Sequence, residues 1–168
     1  HDIKVRLPGH PDHTLRYRQR FVEKSLETQV QEKVVTGLML PLDENPMELA
    51  LSTDRATPAT SDRWMLPLTV SFPARHIALV PEGDEYVGRV VLFVAARDTE
   101  GEQSDVVRQE HAFRVPAAAI DEARERRFTI DVSLLMQEGS HAVAVGVLDQ
   151  ITRQASYATT RAAVSSGV

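Results

Sequence analysis

The sequence predicts a mainly β protein built as an antiparallel β-sandwich, and three observations predict it. Five strand-like runs follow one another over residues 86–164, separated by short polar turns. In most of these runs apolar and polar residues alternate, as a strand with one buried face requires. The run 90–96 is apolar at both parities, which is typical of a central strand covered on both faces. The expected architecture is an immunoglobulin-like or fibronectin-like sandwich of about seven strands.

Upstream of these runs the sequence predicts two further strands and a loop. The longer strand has alternating apolar residues at Trp64, Leu66, Leu68, Val70 and Phe72. Pro67 lies on the opposite parity, and because proline has no amide donor it indicates an edge strand. A shorter run contains Met47, Leu49 and Leu51, and the Thr-, Ala- and Pro-rich stretch 52–62 is predicted to be a loop.

Turn chemistry places the connections of the C-terminal half. Residues 98–102 and 137–140 carry the Gly and acidic residues that chain reversals favour, and both are predicted to form hairpins. Pro116 stands where a helical turn begins, and Ala-rich residues follow it up to Arg124. A short helix capping one end of the sandwich is therefore expected.

The first forty residues have a different pattern. Residues 2–7 and 14–21 are predicted to form a strand pair. Ser25 can cap a helix that ends near Gly37, in which apolar residues recur every fourth position at Leu26, Val30, Val34 and Leu38. We therefore divide the chain into an N-terminal strand extension (1–22), a linker helix (23–40) and the sandwich (41–165). Because the sequence opens on His1, we also expect a fragment or a processed product.

Composition excludes several classes of protein. With 168 residues, 42% of them hydrophobic, the chain can form one sizeable core. The net charge of -5 predicts no binding to nucleic acid, and no apolar run approaches the roughly 20 residues of a membrane helix, which predicts no membrane insertion. Zero cysteines exclude disulfides and thiolate metal sites.

No motif in the sequence predicts catalysis, a cofactor or a bound metal. There is no Gly-x-Ser-x-Gly elbow, no Gly-rich loop before a helix, and no identifiable acid and base pair. His10 and His13 could chelate a transition metal, but no third ligand is nearby. The acidic turns 81–85 and 98–102 could attract calcium, yet neither has the ligand series of a known calcium loop, and solvated turns are expected.

Two surfaces are predicted to bind a partner. Arg16, Arg18 and Arg20 share one parity of their strand and could form a docking face for an acidic partner or an upstream domain, although a solvated edge that deters aggregation has the same pattern. The apolar helix stripe of Leu26, Val30 and Val34 is the second surface. A second copy of the chain could also associate through a strand edge or this helix. Trp64 and Tyr86 leave open a carbohydrate-binding module, which needs exposed aromatic rings.

Three segments carry a resemblance to a known family. They are the basic-aromatic strand Thr14-Leu15-Arg16-Tyr17-Arg18-Gln19-Arg20-Phe21, the helix from Leu26, and the run 143–152. Together they resemble the C-terminal region of bacterial von Willebrand factor A-related proteins, in which a terminal β-sandwich follows a von Willebrand A domain. The resemblance implies a secreted or envelope protein, an upstream domain to which residues 1–22 belong, and a role in adhesion or assembly without catalysis.

These inferences converge on a non-catalytic interaction module. The A-domain metal motif Asp-x-Ser-x-Ser begins at Asp131-Val132-Ser133, but residue 135 is Leu, so that site is absent. We expect an extracytoplasmic β-sandwich that contacts a protein partner or its own upstream domain. A carbohydrate-binding module is the alternative.

Overall fold

The computed structural model describes residues 24–166 together with two short segments, 5–6 and 14–15. Strands predominate over helices. In chain order the elements are β1 (Val5–Arg6), β2 (Thr14–Leu15), α1 (Leu26–Gly37), β3 (Ala50–Thr53), β4 (Thr57–Pro58), β5 (Trp64–Pro73), β6 (Val80–Glu82), β7 (Glu85–Asp98), β8 (Val107–Pro116), α2 (Ile120–Arg124), β9 (Arg127–Met136), β10 (Gly139–Asp149) and β11 (Ala155–Val164).

Nine of the described strands form two antiparallel sheets. In the five-stranded sheet the long strand β7 pairs with β8 along one side, and with β6 and then β10 along the other, and β11 lies beyond β10. In the four-stranded sheet β5 pairs with β9 on one side and with β3 and β4 in succession on the other. The predicted mainly β fold with two antiparallel sheets is confirmed, and the immunoglobulin-like assignment stays a prediction.

The main core lies between the two sheets. Its largest fully buried side chains include Phe72, Leu66 and Leu68 of β5 and Leu92 of β7. These residues occupy the inward parity of their strands, which is why the apolar and polar residues alternate. Phe72 makes edge-on contacts with two rings that lie near one end of the sandwich, Phe113 at 5.8 Å and Phe128 at 6.3 Å between centroids.

Helix α1 forms a third layer on the outer face of the five-stranded sheet. The Ser25 hydroxyl accepts a hydrogen bond from the Thr28 amide at 3.2 Å and caps the helix, as predicted. Val30 and Val34 are buried against a patch of β7, β10 and β11 that includes Phe93 and Tyr157. This contact explains why β7 is apolar at both parities. The helix of residues 23–40 thus packs on the sheet, and the division of the chain into an extension, a linker helix and a sandwich stays a prediction.

Gly146 permits the helix to approach the sheet. A Cβ atom at this position of β10 would lie 2.8 Å from Cγ2 of Val34 and 3.1 Å from Cγ1 of Val30. Both separations are shorter than ordinary van der Waals contact. Glycine is needed here because any side chain would enter the space of the valines.

Asp149 organises the turn between β10 and β11. Its carboxylate is buried, and Oδ1 accepts hydrogen bonds from the amides of Ile151 at 2.8 Å and Thr152 at 3.2 Å. Oδ2 accepts from the amide of Ala78 at 2.8 Å, which ties the turn to the segment before β6. One side chain thus joins three backbone donors at the point where β6 and β10 meet along β7.

Tyr157 lies beneath the helix at the start of β11. The Lys33 ammonium is 5.4 Å from its ring centroid, and the backbone amide of Tyr157 donates to the carbonyl of Glu44 at 2.8 Å. Burial raises the pKa of the Tyr157 phenol to about 12, with a smaller contribution from the Glu44 carboxylate. The phenol therefore stays neutral well above the pH at which an exposed tyrosine ionises.

Three local predictions are corrected. Pro67 is in a central strand and not at an edge, because β5 has partners on both sides. The Pro67 carbonyl accepts a hydrogen bond from the Asp54 amide at 3.1 Å. Because the nitrogen and the carbonyl of one strand residue point to the same side, the Pro67 nitrogen faces the gap between β3 and β4. The stretch 52–62 contains the end of β3 and all of β4. Residues 137–140 are not a hairpin, because β9 and β10 belong to different sheets.

Other local predictions are confirmed. The hairpin at 98–102 is present, with the Asp98 amide donating to the Glu102 carbonyl at 3.0 Å and Gly101 at a φ of 91°. Helix α2 follows a short 3₁₀ turn, Ala117–Ala119, that begins after Pro116. Near the N-terminus β1 pairs with β2 in antiparallel register.

In the described part of the chain, neither helix has the length and apolar content that crossing a bilayer requires.

Candidate functional site

The sequence-predicted partner residues have different outcomes. Arg16, Arg18 and Arg20 lie outside the described residues, as do His10 and His13. Val30 and Val34 are covered by the chain's own sheet, with exposed fractions of 1% and 0%, and Leu26 is half-buried beside them. The helix stripe is therefore not available to a partner in this structure, since it is already part of the fold.

The two long sides of the sandwich differ. On one side the amide of Met47, before β3, donates to the hydroxyl of Ser156 in β11 at 2.9 Å, so the two sheets are joined. On the other side β8 and β9 are the outermost described strands of their sheets. Phe113 stacks on Phe128 at 4.5 Å and closes one end of this side. Toward the other end of the strands the side is open.

A groove of about 430 Å³ lies at this open end. Its floor belongs to the core and includes Val94 and Met136, which are buried. Val107 and Leu135, with exposed fractions of 41% and 55%, stand at its margins. They are two of the five large apolar side chains that are exposed in the described residues. Two exposed apolar side chains thus stand next to an opening in the core, and Met39 and Leu40, after α1, form a second exposed apolar pair.

One rim of the groove is acidic. Asp98, Glu102 and Asp105 line it, and none of the three forms an ion pair with a described residue. The Asp98 carboxylate accepts only from the Glu102 amide, at 2.8 Å. Across the groove Arg63 already has Asp62 at 4.0 Å. The rim therefore presents negative charge that the described protein does not neutralise.

Several carboxylates elsewhere in the described chain form ion pairs. Arg108 donates to Glu27 at 2.8 Å, and this hydrogen bond holds the pKa of the Glu27 carboxyl below its usual range. Hydrogen bonds from His76 and Arg89 lower the pKa of Glu48 and Glu82 in the same way. These pairs connect side chains of different surface segments.

The histidines near the groove have structural partners. His141 is buried at the groove, with its Nε2 2.9 Å from the carbonyl oxygen of Gln137. His111 of β8 is half-buried, and its Nε2 is 3.1 Å from the side-chain oxygen of Gln109. Neither has a hydroxyl nucleophile as a hydrogen-bond partner, and within residues 24–166 no three His, Asp or Glu side chains converge as a metal site.

The outer face of the four-stranded sheet is mostly polar, apart from the cross-strand pair Met65 and Leu135 at one end. Thr69 donates to Asp131 at 2.8 Å, and Arg127 donates to the hydroxyl of Ser71 at 3.1 Å. Trp64 is half-buried against the core. Every aromatic side chain in the described residues is buried or half-buried.

Sequence reasoning missed the groove, although two signals pointed to it. Leu135 falls on the polar parity of β9, after Thr129, Asp131 and Ser133, and so breaks the alternation with an outward apolar residue. The stretch 98–105 holds four acidic residues, and we interpreted its first part, 98–102, as a hairpin and a solvated turn. Their proximity could not be predicted, because the crossing of residues 137–140 between the sheets was interpreted as a hairpin.

Comparison with known proteins yields only distant structural likeness. No family model matches the sequence, and no curated protein matches it. Among 19 matching solved chains is the ApaA protein of Bordetella pertussis, with 12% identity, 74% of this chain and 99% of that chain covered, and a TM-score of 0.45. A Bacteroides uniformis β-glucuronidase is also similar, with 10% identity, 69% of this chain and 13% of that chain covered, and a TM-score of 0.41. CsgH of R. palustris has 15% identity, with 67% of this chain and 87% of that chain covered, and a TM-score of 0.29. At these TM-scores the likeness carries no argument about function.

Proposed function

We propose that this chain is a non-catalytic β-sandwich interaction module, and that its working surface is the groove between β8 and β9. The observation that carries the proposal is the coincidence of exposed apolar side chains, Val107 and Leu135, with unpaired carboxylates at one opening of the core. An apolar centre with a charged rim is the usual anatomy of a protein interface.

The rest of the described surface supports this choice of site. Helix α1 covers part of the outer face of the five-stranded sheet, and the outer face of the four-stranded sheet is polar away from the groove end, where Leu135 lies. The hydrogen-bonding of His111 and His141 and the absence of a metal cluster in residues 24–166 support a role without catalysis. The carbohydrate-binding alternative has no exposed aromatic ring in the described residues to support it.

The biological setting is proposed from the sequence pattern alone. The segments that resemble von Willebrand factor A-related proteins favour a larger secreted or envelope protein, in which this module contacts a protein partner or an upstream domain.

Site-specific photo-crosslinking in the cells that make the protein tests the proposal. A photoreactive amino acid replaces Leu135 in one variant and Thr129 in a matched control on the same strand and face, about 20 Å away. Adducts of defined mass from position 135, absent or much weaker from position 129, are expected. Equal labelling from both positions, or no adduct from either, would contradict the proposal.

A further inference from the structure

We infer that the groove binds an extended polypeptide segment with basic side chains on one face and apolar side chains on the other. This inference rests on the proposed function and adds the chemistry of the partner. Three features of the described residues carry it: the strand edge beside the groove, the apolar margins, and the acidic rim.

The strand edge favours an extended partner. β9 pairs with β5 on one side, and no described strand pairs with its other side. Residues 133–137 of this region line the groove. A free strand edge offers backbone donors and acceptors that an added strand can use, which is a recurring mode of peptide recognition.

The apolar margins and the acidic rim specify the two faces of that partner. Side chains of an extended segment alternate between two faces. One face would contact Val107 and the apolar floor at Val94 and Met136, while the other would direct its charges to Glu102 and Asp105. Lysine or arginine on that face would neutralise carboxylates that have no ion pair among the described residues. A segment that alternates apolar and basic residues satisfies both requirements.

The chain's own sequence supplies a suitable probe. In residues 14–21, Arg16, Arg18 and Arg20 alternate with Leu15, Tyr17, Gln19 and Phe21. A fluorescent peptide of this sequence has the proposed chemistry, and a matched peptide with R16Q, R18Q and R20Q lacks only the charges.

Fluorescence anisotropy of the labelled peptide with the whole chain measures the interaction. Saturable binding at low salt is expected, and it should weaken as salt rises. Glu102→Gln with Asp105→Asn should weaken it about fivefold to tenfold, the size expected when two solvent-exposed ion pairs are lost. Asp121→Asn with Glu125→Gln makes the same charge change beyond the far end of β8 and should alter binding less than about twofold.

Each other outcome overturns the inference. Equal weakening by the two double variants would show that only net charge attracts the peptide, and equal binding of the arginine-free peptide would show that charge is not recognised. No binding at 1 mM peptide, roughly the weakest affinity the method resolves, would reject a basic segment as the partner. In that last case position-135 crosslinks would still stand, so failure of the partner chemistry is distinguishable from failure of the proposed function.

Discussion

The contact between Val34 and Gly146 gives the sharpest prediction about the three-layer fold. Val34 has no exposed surface, and its Cγ2 would lie 2.8 Å from a Cβ at residue 146. Val34→Ala removes two buried methyl groups, at about 0.8 kcal/mol each plus a cavity term, so we expect a loss of about 2 kcal/mol in unfolding free energy. Gly146→Ala alone overpacks the same contact and should cost about 1–3 kcal/mol.

The double variant Val34→Ala with Gly146→Ala tests whether the two residues are in direct contact. Once Val34 is alanine, the new methyl at residue 146 enters space that the valine has left. We therefore expect the double variant to be at least about 1 kcal/mol more stable than the sum of the single effects predicts. Urea unfolding followed by far-ultraviolet circular dichroism gives the three free energies.

A matched cycle provides the control. Gly88→Ala also overpacks, but against Ile77 and Leu79 on the other face of the sheet. Combined with Val34→Ala it should be additive within about 0.5 kcal/mol. Additivity in the Gly146 cycle, or a change below about 0.5 kcal/mol for Val34→Ala alone, would refute the docked helix, since a solvent-exposed valine has effects of that size.

Three further predictions concern single side chains. Asp149→Ala should lower the unfolding free energy by at least about 2 kcal/mol, because the backbone amides that donate to its carboxylate lose their acceptor. Asp149→Asn keeps one acceptor oxygen and should lower the unfolding free energy less. Chemical denaturation measures both. Burial raises the pKa of the Tyr157 phenol to about 12 in the folded chain, from 10.0 for an exposed tyrosine. Because the unfolded state releases its proton first, the unfolding free energy should fall as pH rises across this interval. Tyr157→Phe should remove that part of the pH dependence, which urea unfolding at several pH values measures. Pro67→Ala should change stability by less than about 0.5 kcal/mol, because the restored amide faces the gap between β3 and β4, and thermal unfolding measures it.

The strands were predictable where one physical cause dominates. β9 alternates because one face is in the core and the other in water, and residues 90–96 of β7 are apolar at both parities because α1 covers the second face there. The cap at Ser25 and the turn at Gly101 follow from local hydrogen bonding and backbone freedom. These features depend on neighbours close in sequence or on simple burial.

Features that depend on distant partners were missed. The periodicity of Val30 and Val34 shows that the helix needs an apolar surface, but not whether that surface belongs to this chain. Pro67 indicates a missing hydrogen bond, and sequence alone does not show that a break between two short strands accommodates it. The groove required knowing that β8 and β9 are edges of different sheets, which pairing over long sequence separations decides.

The most direct test of the account is hydrogen–deuterium exchange of the chain alone and in complex with the partner identified by crosslinking from position 135. The account predicts slower amide exchange in residues 104–107 and 133–137, which border the groove, and little change in α1 or in the β3–β4 region. Protection confined to α1, or to the outer face of the four-stranded sheet around Thr69 and Thr129, would contradict it.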